Sequence, residues 1–570
     1  MSKTLIVESF QETGSSAIDV LSYLTKAQAA LEEGNLLLVM EILMEAHKSF
    51  PDDVQVLAAM VGMQAKLEHW KQMLPNLDLL ISLQPDEIEW PIRRLAALHS
   101  CKAFKELVRE SLLLLKKEPK NTKILALQAS AYKELNELPL GLDVVNVLIE
   151  LNSSAAEPFL IRGLIYREMG EAKLAKADLL KAESFGDNTP LLLNALGTLH
   201  ADFHEHEIAL DYFRKALSLK AGSETIVLIA INASLSAMSL GEFDKGWQFY
   251  AYRKLAMDAQ KITYPAWQGE NLSGKHLVVR REQGLGDELR FSSVIAEVAD
   301  EAKLITLECD PRLVELYRRS FPHNVTLVGM SSIIGGQDHG NSYMDVHCAA
   351  HIGDLSQYRR RSLDDFPEHY GYLKPDPKRV GYWTDYLQKL EGKINVGVSW
   401  KSGNVEGHRS THYADIKEWL PVLSIEGVNF VNLYYGDSKE DLQWVEAQVG
   451  VKVHIPKGID LRNDIDDLSA LMASLDLVVG PHTAPIDLAM AVKGASAWVL
   501  PFRHFETKGA FYFGQAYFPW SPATKPVFGD GFKGTMDLVA EELAHIVQTT
   551  DPKLTLAELS KLMYVCYGAS

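Results

Sequence analysis

Three prolines recur every 34 residues in the first part of the chain, and this spacing constrains the fold more than any other feature. They are Pro51, Pro85 and Pro119, and the next step of the same register falls on Ser153. A fixed period of this length is typical of stacked helical hairpins, each of which buries its apolar face only against its neighbours. The sequence therefore predicts an α-solenoid of about six or seven repeats, from roughly Asp19 to Arg253.

Small and aromatic residues recur in the same register and indicate the kind of hairpin. Two successive units carry them best, with Gly163, Tyr166, Gly170, Ala175 and Ala182 in one and Gly197, Ala209, Phe213 and Ala216 in the next. A 34-residue period with small residues where two helices approach is the tetratricopeptide repeat (TPR) pattern. Gly34 and Asn136 share the register of Gly170, so all three are predicted to form the turn inside a hairpin. Earlier units carry Leu and Met at the small positions, which leaves an irregular helical domain as the alternative.

An aromatic cluster follows the repeats, at a point where their register slips by about three residues. Trp247, Phe249, Tyr250 and Tyr252 precede a turn-rich connector at 264–269. No Gly/Ser-rich linker separates the two parts, so we expect a fixed junction. The aromatic side chains are predicted to pack between the last helical hairpin and the next domain.

Short apolar runs alternate with helical segments from Gly274 onward, which predicts mainly parallel sheets with helices on both faces. The first predicted strands lie at 277–279, 304–308, 325–328 and 342–346. A proline-containing stretch at 372–377 indicates a linker. The second set of strands is predicted at 394–400, 428–433, 451–455, 475–479 and 497–500, with helices at 437–449 and 467–473.

The predicted fold class is thus an α-solenoid followed by two α/β halves. The expected domain limits are 1–253 for the solenoid, 254–375 for the first half and 376–570 for the second. Two such halves joined by a short linker leave a cleft between them, and domain interfaces are preferred ligand sites.

The overall charge and the cysteine pattern exclude several classes of protein. A net charge of −18 argues against a nucleic-acid-binding protein, which usually carries a basic face. Four scattered cysteines without CxxC spacing indicate reduced thiols rather than a disulfide framework. We see neither a signal peptide nor an apolar run as long as a membrane span, so we expect a cytoplasmic protein.

A buried strand, a glycine turn and a helix are predicted where residues 275–288 read Lys-His-Leu-Val-Val-Arg-Arg-Glu-Gln-Gly-Leu-Gly-Asp-Glu. Gly284 and Gly286 let the backbone turn sharply and leave it open to a ligand. Asp287 then lies at or near the start of a helix expected from about Glu288. Ligands of open α/β sheets bind outside the carboxyl ends of the strands, so this turn is a candidate binding site.

Four short motifs are shared with a known family. They are Trp-x-Gly-x-x-Leu-x-Gly-Lys at 267–275, Glu-Gln-Gly-Leu-Gly-Asp at 282–287, Val-Gly-x-Ser-Trp-x-x-Gly at 396–403 and Thr-x-Pro-x-Asp-Leu-Ala at 483–489. In these motifs the chain resembles the bacterial TPR-containing glycosyltransferases, which have a two-domain GT-B fold. The relatives include flagellin glycosyltransferases, which add nonulosonic acids in the cytoplasm, O-GlcNAc transferases and, more remotely, lipopolysaccharide heptosyltransferases.

The resemblance implies a GT-B fold of two Rossmann-like halves, with the acceptor on the first half and the nucleotide-sugar donor on the second. It also implies a metal-independent enzyme, in which cations and helix N-termini stabilise the leaving phosphate. One segment departs from the family. Many relatives carry an acidic residue before a His there, whereas this chain has His482 before Asp487, which is consistent with a different class of donor.

Asp287 is the candidate catalytic base, since it matches the position proposed as base in the heptosyltransferases. Capping of the helix is the alternative role, because Asp favours that position. Glu282 and Glu288 are weaker candidates for the base. His482 is the second candidate catalytic residue, which would protonate the leaving phosphate or bind a carboxylate-bearing sugar; a structural turn residue is the alternative.

The remaining candidates would bind the donor. Ser399, Lys401 and Arg409 follow the first strand of the second half, where a cation can reach a phosphate; a solvated basic loop is the alternative. Thr483 would add a hydroxyl at the start of a helix predicted near Pro485. Gly284 and Gly286 would leave the backbone open to the donor, and Asp487 is either a ribose ligand or a structural residue.

The expected function is protein O-glycosylation. A nucleotide sugar, with a CMP-linked sugar as one candidate, would donate a nonulosonic acid such as pseudaminic or legionaminic acid to a Ser or Thr of a flagellin-like acceptor held by the TPR arm. No further cofactor, nucleic acid or membrane span is expected. The alternatives are a heptosyltransferase-like enzyme acting on a glycolipid and a TPR scaffold with an inactive glycosyltransferase domain.

Overall fold

A computed structural model gives the arrangement of most of the chain. It describes residues 15–186, 188–256, 264–281, 284–330, 343–366, 371–402, 413–501, 513, 518–521, 524–529 and 531–549. The chain divides into two compact units, Met1–Gly186 and Asp187–Ser570. The domain limits expected at 253 and 375 stay predictions.

The first unit consists of antiparallel helix pairs. Its helices are α1 (Ser15–Glu32), α2 (Leu36–Ser49), α3 (Val54–Lys66), α4 (Trp70–Leu83), α5 (Glu89–Ser100), α6 (Phe104–Lys117), α7 (Thr122–Glu134), α8 (Leu138–Leu151), α9 (Ala156–Glu168) and α10 (Ala172–Glu183). The second unit begins with two further pairs, α11 (Pro190–Asp202) with α12 (His206–Leu217) and α13 (Ser223–Ser239) with α14 (Phe243–Tyr250).

The helix starts repeat with the predicted period. The second helix of each of the first six pairs begins 34 residues after the one before, at Leu36, Trp70, Phe104, Leu138, Ala172 and His206. Pro51, Pro85 and Pro119 lie between pairs. The predicted TPR-like helical repeat is therefore confirmed, and the irregular helical domain is wrong. The slip of three residues is confirmed as well, since α14 begins 37 residues after α12.

The turn inside each pair has one residue in the left-handed backbone region. These residues are Gly34, Glu68, Lys102, Asn136, Gly170, His204 and Gly241, with φ between 59° and 79°. The prediction for Gly34, Asn136 and Gly170 is confirmed. The sequence does not single out the three bulkier residues, because a left-handed residue other than glycine costs only about 1–2 kcal/mol and the rest of the hairpin offsets it.

The first α/β half contains a four-stranded parallel sheet in the order β3-β2-β1-β4. Its elements are β1 (His276–Arg280), α15 (Leu285–Phe291), α16 (Ile295–Glu301), β2 (Leu304–Cys309), α17 (Val314–Ser320), β3 (Val325–Gly329), β4 (Cys348–His351) and α18 (Ile352–Arg359). Three predicted strands are confirmed. The strand predicted at 342–346 is wrong: the chain turns there with Asp345 at φ 55°, and pairing begins only at Cys348, beside Leu277.

The second half contains a five-stranded parallel sheet in the order β6-β5-β7-β8-β9. Its elements are α19 (Pro377–Leu387), β5 (Ile394–Val398), α20 (Leu420–Leu423), β6 (Val428–Asn432), α21 (Lys439–Val449), α22 (Ile465–Ser474), β7 (Leu477–Pro481), α23 (Ala484–Ala491), β8 (Ala497–Leu500), β9 (Thr524–Pro526) and α24 (Gly531–Thr549). The strand predicted at 451–455 is wrong, because only an isolated bridge joins His454 to Val431. Strand β9 was not predicted.

The predicted aromatic packing at the junction is confirmed for Trp247 and Tyr250, whereas Tyr252 is 43% exposed and Phe249 packs against the helices of the repeat. Trp247 is 2% exposed, and its Nε1 donates a hydrogen bond to the Arg360 carbonyl at 2.6 Å. Phe243, Trp247 and Tyr250 belong to the same hydrophobic core as strands β1 and β2. The last helical hairpin is thus packed into the first α/β half.

Candidate functional site

The carboxyl ends of the strands bring the predicted site residues to two crevices. In the first sheet, the chain runs from β1 to β2 and β3 on one side, and then crosses to β4 on the other side of β1. In the second sheet, the corresponding change of direction lies between β5 and β7. Ligands of open parallel sheets bind at such switch points. Ser399 follows β5 and His482 follows β7, so both lie at the second crevice.

The glycine turn after β1 brings two helices together. A Cβ on Gly286 would lie 2.4 Å from Asp487 Oδ2, so only glycine lets the start of α15 approach α23 this closely. Gly284 is the N-cap of α15, with φ −106° and ψ 141°. Gly284 therefore does not adopt a left-handed backbone conformation. Gly286 matters because its missing side chain allows the two helices to pack closely.

Four charged or polar side chains meet where α15 and α23 approach each other. Arg290 Nη2 donates to Asp487 Oδ1 at 2.7 Å and lies 3.1 Å from His482 Nε2. Arg290 Nη1 donates to Asp287 Oδ1 at 3.3 Å. The structure thus joins the predicted residues Asp287, His482 and Asp487 through Arg290, which connects the two α/β halves.

Burial and charge set the ionisation of this cluster. Burial lowers the pKa of Arg290, but the Asp487 and Asp287 carboxylates outweigh that effect and raise it overall. Burial raises the pKa of Asp487, but Arg290 and His482 outweigh it, so the pKa lies below its usual value. At neutral pH the cluster therefore holds the Arg290 guanidinium cation beside the Asp487 carboxylate anion.

His482 has two alternative hydrogen bonds through one nitrogen. Its Nε2 lies 3.1 Å from Asp487 Oδ1 and 3.1 Å from Arg290 Nη2. A protonated Nε2 donates to Asp487, whereas an unprotonated Nε2 accepts from Arg290. The ring also meets Phe518 edge to face, at 5.4 Å between centroids. Nε2 of His482 therefore has a hydrogen-bond partner whether or not it carries a hydrogen.

Asp287 is the accessible carboxylate of the cluster, with 44% of its side chain exposed against 5% for Asp487. It occupies the third position of α15, and Gly284 is the N-cap. Asp287 is therefore not the N-cap residue of α15, and its role as the base stays a prediction. Of the weaker candidates, Glu288 is fully buried, and Glu282 lies outside the described residues.

The other predicted donor residues lie around the second crevice. Lys401 Nζ pairs with Asp441 Oδ2 at 2.8 Å and lies 5.1 Å from the centre of the Tyr434 ring. Ser399 is fully buried, and its carbonyl would be 2.6 Å from a Cβ on Gly480. Thr483 is the N-cap of α23, but its hydroxyl donates to the Pro481 carbonyl at 3.1 Å. Arg409 lies outside the described residues.

A second charged network lies at the edge of the first sheet and was not predicted. Arg281 Nε donates to Glu288 Oε2 and Arg281 Nη2 to Asp310 Oδ2, each at 3.1 Å. Asp310 also binds Arg312, whose Nη1 donates to the Arg462 carbonyl of the second half at 2.9 Å. Burial raises the pKa of Glu288 to about 7, although Arg281 opposes this effect.

A cavity of about 380 Å³ lies between the two halves beside this network. Its walls are mainly apolar, with two cations and one phenol, and are formed by Leu285, Leu289, Arg312, Tyr435, Gly436, Leu461, Arg462, Ile465, Leu468, Ala484, Pro485 and Leu488. The wall residues come from α15, α22 and α23, from the segments after β2 and β6, and from the segment that precedes α22. A small organic ligand with an apolar surface fits such a space.

Arg290 is the main site residue that the sequence analysis missed. Its signal was available, since it lies three residues after Asp287 and residues at that spacing face each other on a helix. The Arg281–Asp310 pair had no such signal, because the two residues are adjacent only through the pairing of β1 with β2.

Comparison with known proteins gives distant similarities. Protein FlbA of Caulobacter vibrioides is 29% identical over 416 residues, which span 70% of this chain and 68% of that protein. No protein-family model matches the sequence.

Among solved structures, the APC/C hetero-tetramer Cut9–Hcn1 matches with a TM-score of 0.34 and 15% identity, over 42% of this chain and 46% of that chain. A tetratricopeptide repeat protein from Parabacteroides merdae matches with a TM-score of 0.35 and 13% identity, over 42% of this chain and 93% of that chain.

None of the helices that the structure describes combines the length and the apolar character needed to cross a lipid bilayer.

Proposed function

We propose that this chain is a glycosyltransferase that moves a sugar from a nucleotide sugar to a Ser or Thr hydroxyl of a protein. The observation that carries the proposal is the cluster of Asp287, Arg290, His482 and Asp487, which lies where the helix after β1 meets the segment and helix after β7. Such crevices between α/β halves are ligand sites, and the cluster combines an accessible carboxylate with a buried cation.

The proposed reaction assigns one task to each part of the cluster. The Asp287 carboxylate takes the proton from the acceptor hydroxyl, whose oxygen bonds to the anomeric carbon of the sugar. The bond from that carbon to the phosphate oxygen breaks, and its electrons leave with the nucleotide. Arg290 and His482 stabilise the negative charge that develops on the phosphate, and His482 can donate a proton to it. Asp487 holds both groups in place.

The donor and acceptor are proposed in more detail from the family resemblance. The donor is a nonulosonic acid linked to a nucleotide, with CMP as the candidate nucleotide, and the acceptor is a flagellin-like protein bound by the helical repeat. A cationic Arg290 beside His482 suits a sugar that carries a carboxylate as well as a phosphate, because both groups are anions. The second half would bind the donor, with Lys401 exchanging Asp441 for a phosphate oxygen.

Binding and turnover test the proposal in two stages. Isothermal titration calorimetry of the full-length protein with CMP-, UDP- and GDP-linked sugars identifies the donor. Lys401→Ala and Thr483→Ala are each expected to weaken its binding about 10- to 100-fold, since a hydrogen bond to a charged group contributes about 1.5–3 kcal/mol. The control is Lys452→Ala, which removes an exposed lysine of the same half.

Turnover then tests the base. Asp287→Asn keeps the size of the side chain but cannot accept the proton, so transfer to the acceptor should be lost while donor affinity and Tm stay close to wild type. Asp300→Asn, at an exposed position on α16, is the matched control. A protein that binds no nucleotide sugar, yet binds a protein partner, would instead be the inactive scaffold. Full turnover of Asp287→Asn would exclude Asp287 as the base.

A further inference from the structure

The end of helix α15 is held by aromatic rings from outside its own α/β half. Phe291, the last residue of α15, is fully buried. The Trp247 and Tyr250 rings of α14 lie 6.5 Å and 5.7 Å from it, and the Trp520 ring of the second half lies 5.6 Å from it, measured between centroids. Phe291 thus contacts both the last helical hairpin and the second half of the α/β region.

Helix α14 is in turn fastened to the first half by polar contacts. Asp244 pairs with Arg361 at 3.0 Å. Just beyond α14, Arg253 pairs with Asp354 at 2.9 Å, and both side chains are nearly buried, at 8% and 10% exposure. Together with the Trp247–Arg360 hydrogen bond, these pairs leave the hairpin little freedom to slide over α18.

Phe291 directly follows Arg290, the cation at the centre of the candidate site. The two are consecutive in α15, so a shift of the Phe291 ring displaces the guanidinium relative to Asp487 and His482 on the other half. Closely packed interiors transmit such shifts because they contain few voids. The Arg290–Asp487 contact of 2.7 Å thus lies one residue away from the contact of α14 with Phe291.

We propose that Trp247 and Tyr250 are positioning residues for the reaction, acting through Phe291 to hold Arg290 against Asp487 and His482. This inference rests on the proposed glycosyl transfer and deepens it. The last helical hairpin then belongs to the catalytic apparatus, although it arises from the same repeat as the helices that would hold the acceptor.

Steady-state kinetics of full-length variants test this role. Tyr250→Leu, which removes the ring, should lower kcat about 100-fold, because small misplacements of catalytic groups have effects of that size. The KM for the nucleotide sugar should stay close to wild type. Tyr250→Phe keeps the ring but removes the hydroxyl, which helps to raise the pKa of Arg290. Restored kcat in this variant is expected, and a kcat as low as in Tyr250→Leu would overturn the route through Phe291. Tyr252→Leu is the control, since Tyr252 is nearby but 43% exposed. Wild-type kcat in Tyr250→Leu, or a change in KM alone, would overturn the proposal.

A spectroscopic measurement separates this inference from the proposed function. In protein labelled with ¹³C at the histidine Cε1, the His482 signal can be assigned by its loss in His482→Gln. Tyr250→Leu should shift that signal as Arg290→Lys does, whereas Tyr252→Leu should leave it in place. An unmoved His482 signal in folded Tyr250→Leu would overturn the positioning role.

Two further outcomes are also decisive. If Tyr250→Leu does not fold, Trp247→Phe takes its place, because it keeps an aromatic ring but loses the hydrogen bond to Arg360. It should lower kcat and shift the His482 signal in the same directions as expected for Tyr250→Leu. Wild-type kcat and an unmoved signal in Trp247→Phe would overturn the positioning role. If the His482 signal moves but the wild-type protein transfers no sugar from any nucleotide, the proposed function fails and the coupling of α14 to the cluster stands.

Discussion

Arg290 and Asp487 form a buried ion pair across the two α/β halves, with 5% of each side chain exposed. Removing two charges from water is costly, and their mutual attraction offsets that cost only while both are present. The pair therefore contributes more to holding one arrangement of the halves than to net stability. Its effect on stability can be separated from its effect on function by substituting one partner or both.

We predict that Asp487→Ala lowers the free energy of unfolding by about 3–5 kcal/mol, because it leaves Arg290 buried without its nearest carboxylate. The double variant Arg290→Met/Asp487→Leu removes both charges and should recover most of this stability. Urea denaturation followed by tryptophan fluorescence measures both values. A double variant as unstable as Asp487→Ala would show that packing, and not charge, sets the cost at this position.

Glu288 gives the stability a predictable pH dependence. Burial raises the pKa of Glu288 from 4.5 to about 7, so the folded protein holds a proton there that the unfolded chain has released. Where the folded state binds more protons, stability falls as the pH rises. We expect the Glu288 contribution to decrease by about 3 kcal/mol between pH 4.5 and pH 7.

The measurement is the difference between wild type and Glu288→Gln at each pH, since this difference removes the titration of all other groups. Gln keeps the size of the side chain and its carbonyl oxygen, and Arg281 retains Asp310 at 3.1 Å. The wild type should lose stability relative to Glu288→Gln as the pH rises over this interval. Parallel profiles would mean that Arg281 holds the Glu288 carboxylate ionised throughout.

At the residue scale, the sequence could predict only those site residues that local patterns mark. Asp287 stands in a glycine turn, and His482 and Asp487 stand at a helix start, so all three were singled out. Arg290 and Asp310 become site residues through contacts between distant segments, which a single sequence does not reveal. Asp441, which pairs with Lys401, was missed for the same reason: it lies 40 residues away in the sequence.

At the scale of elements, an arginine ladder links successive helical hairpins of the first unit. Arg94 on α5 pairs with Asp78 sixteen residues before it and with Glu110 sixteen residues after it. Arg162 on α9 repeats the pattern with Asn146 and Asp178, at 2.9 Å and 2.7 Å. Each arginine thus joins the second helices of two neighbouring hairpins.

The register position between these arginines, on α7, is occupied by Gln128. Its neighbours sixteen residues away are Leu112 and Val144, which offer no polar group. Within the described part of the chain, Gln128 Nε2 is buried and has no hydrogen-bond partner. An unpaired buried donor of this kind costs about 1–3 kcal/mol.

We predict that Gln128→Met raises the stability of the first unit by about 1 kcal/mol, since it keeps the volume of the side chain and removes the unpaired amide. Differential scanning calorimetry should show a higher Tm for the transition of this unit. Gln72→Met, at an exposed position on α4, is the control and should leave the Tm unchanged. A lower Tm in Gln128→Met would mean that the amide oxygen makes the dominant contribution.

The sequence predicts the helices of the repeat better than it predicts the short strands. The helix starts follow from a 34-residue period that the prolines mark. The segment 451–455 has the composition of a strand but forms only one bridge at His454. The three-residue strand β9 contains Pro526, and proline argues against a strand because it has no backbone N–H to donate. Its position at the sheet edge, beside β8, makes that proline acceptable.

At the scale of the whole molecule, the structure groups the helices differently from the sequence. The chain separates after Gly186, whereas the repeat pattern continues to about Arg253. The sequence shows where the repeat ends but not where the packing changes, because hairpins before and after residue 186 have the same pattern. Phe243, Trp247 and Tyr250 share a hydrophobic core with Leu277 and its sheet, which accounts for the second unit including α14.

This grouping predicts how fragments behave. A fragment spanning 188–570 keeps all but the first residue of the second unit and should fold and bind the nucleotide sugar. A fragment spanning 264–570 keeps both α/β halves but loses α14, so it exposes the core around Phe291 and should aggregate. Size-exclusion chromatography and calorimetry of the two fragments check this. Equal folding of both would mean that the aromatic contacts of α14 are dispensable.

The same fragment tests what the first unit does. If the helical repeat before residue 187 captures the protein acceptor, the 188–570 fragment should bind the donor with wild-type affinity but lose most modification of the folded acceptor. Binding energy remote from the reacting hydroxyl positions that hydroxyl, so its loss lowers the rate of transfer. The fragment 1–186 should bind the unmodified acceptor without any sugar. If 188–570 instead modifies the acceptor at the full rate, the first unit is not the acceptor clamp, and a glycolipid or a small molecule becomes the better acceptor.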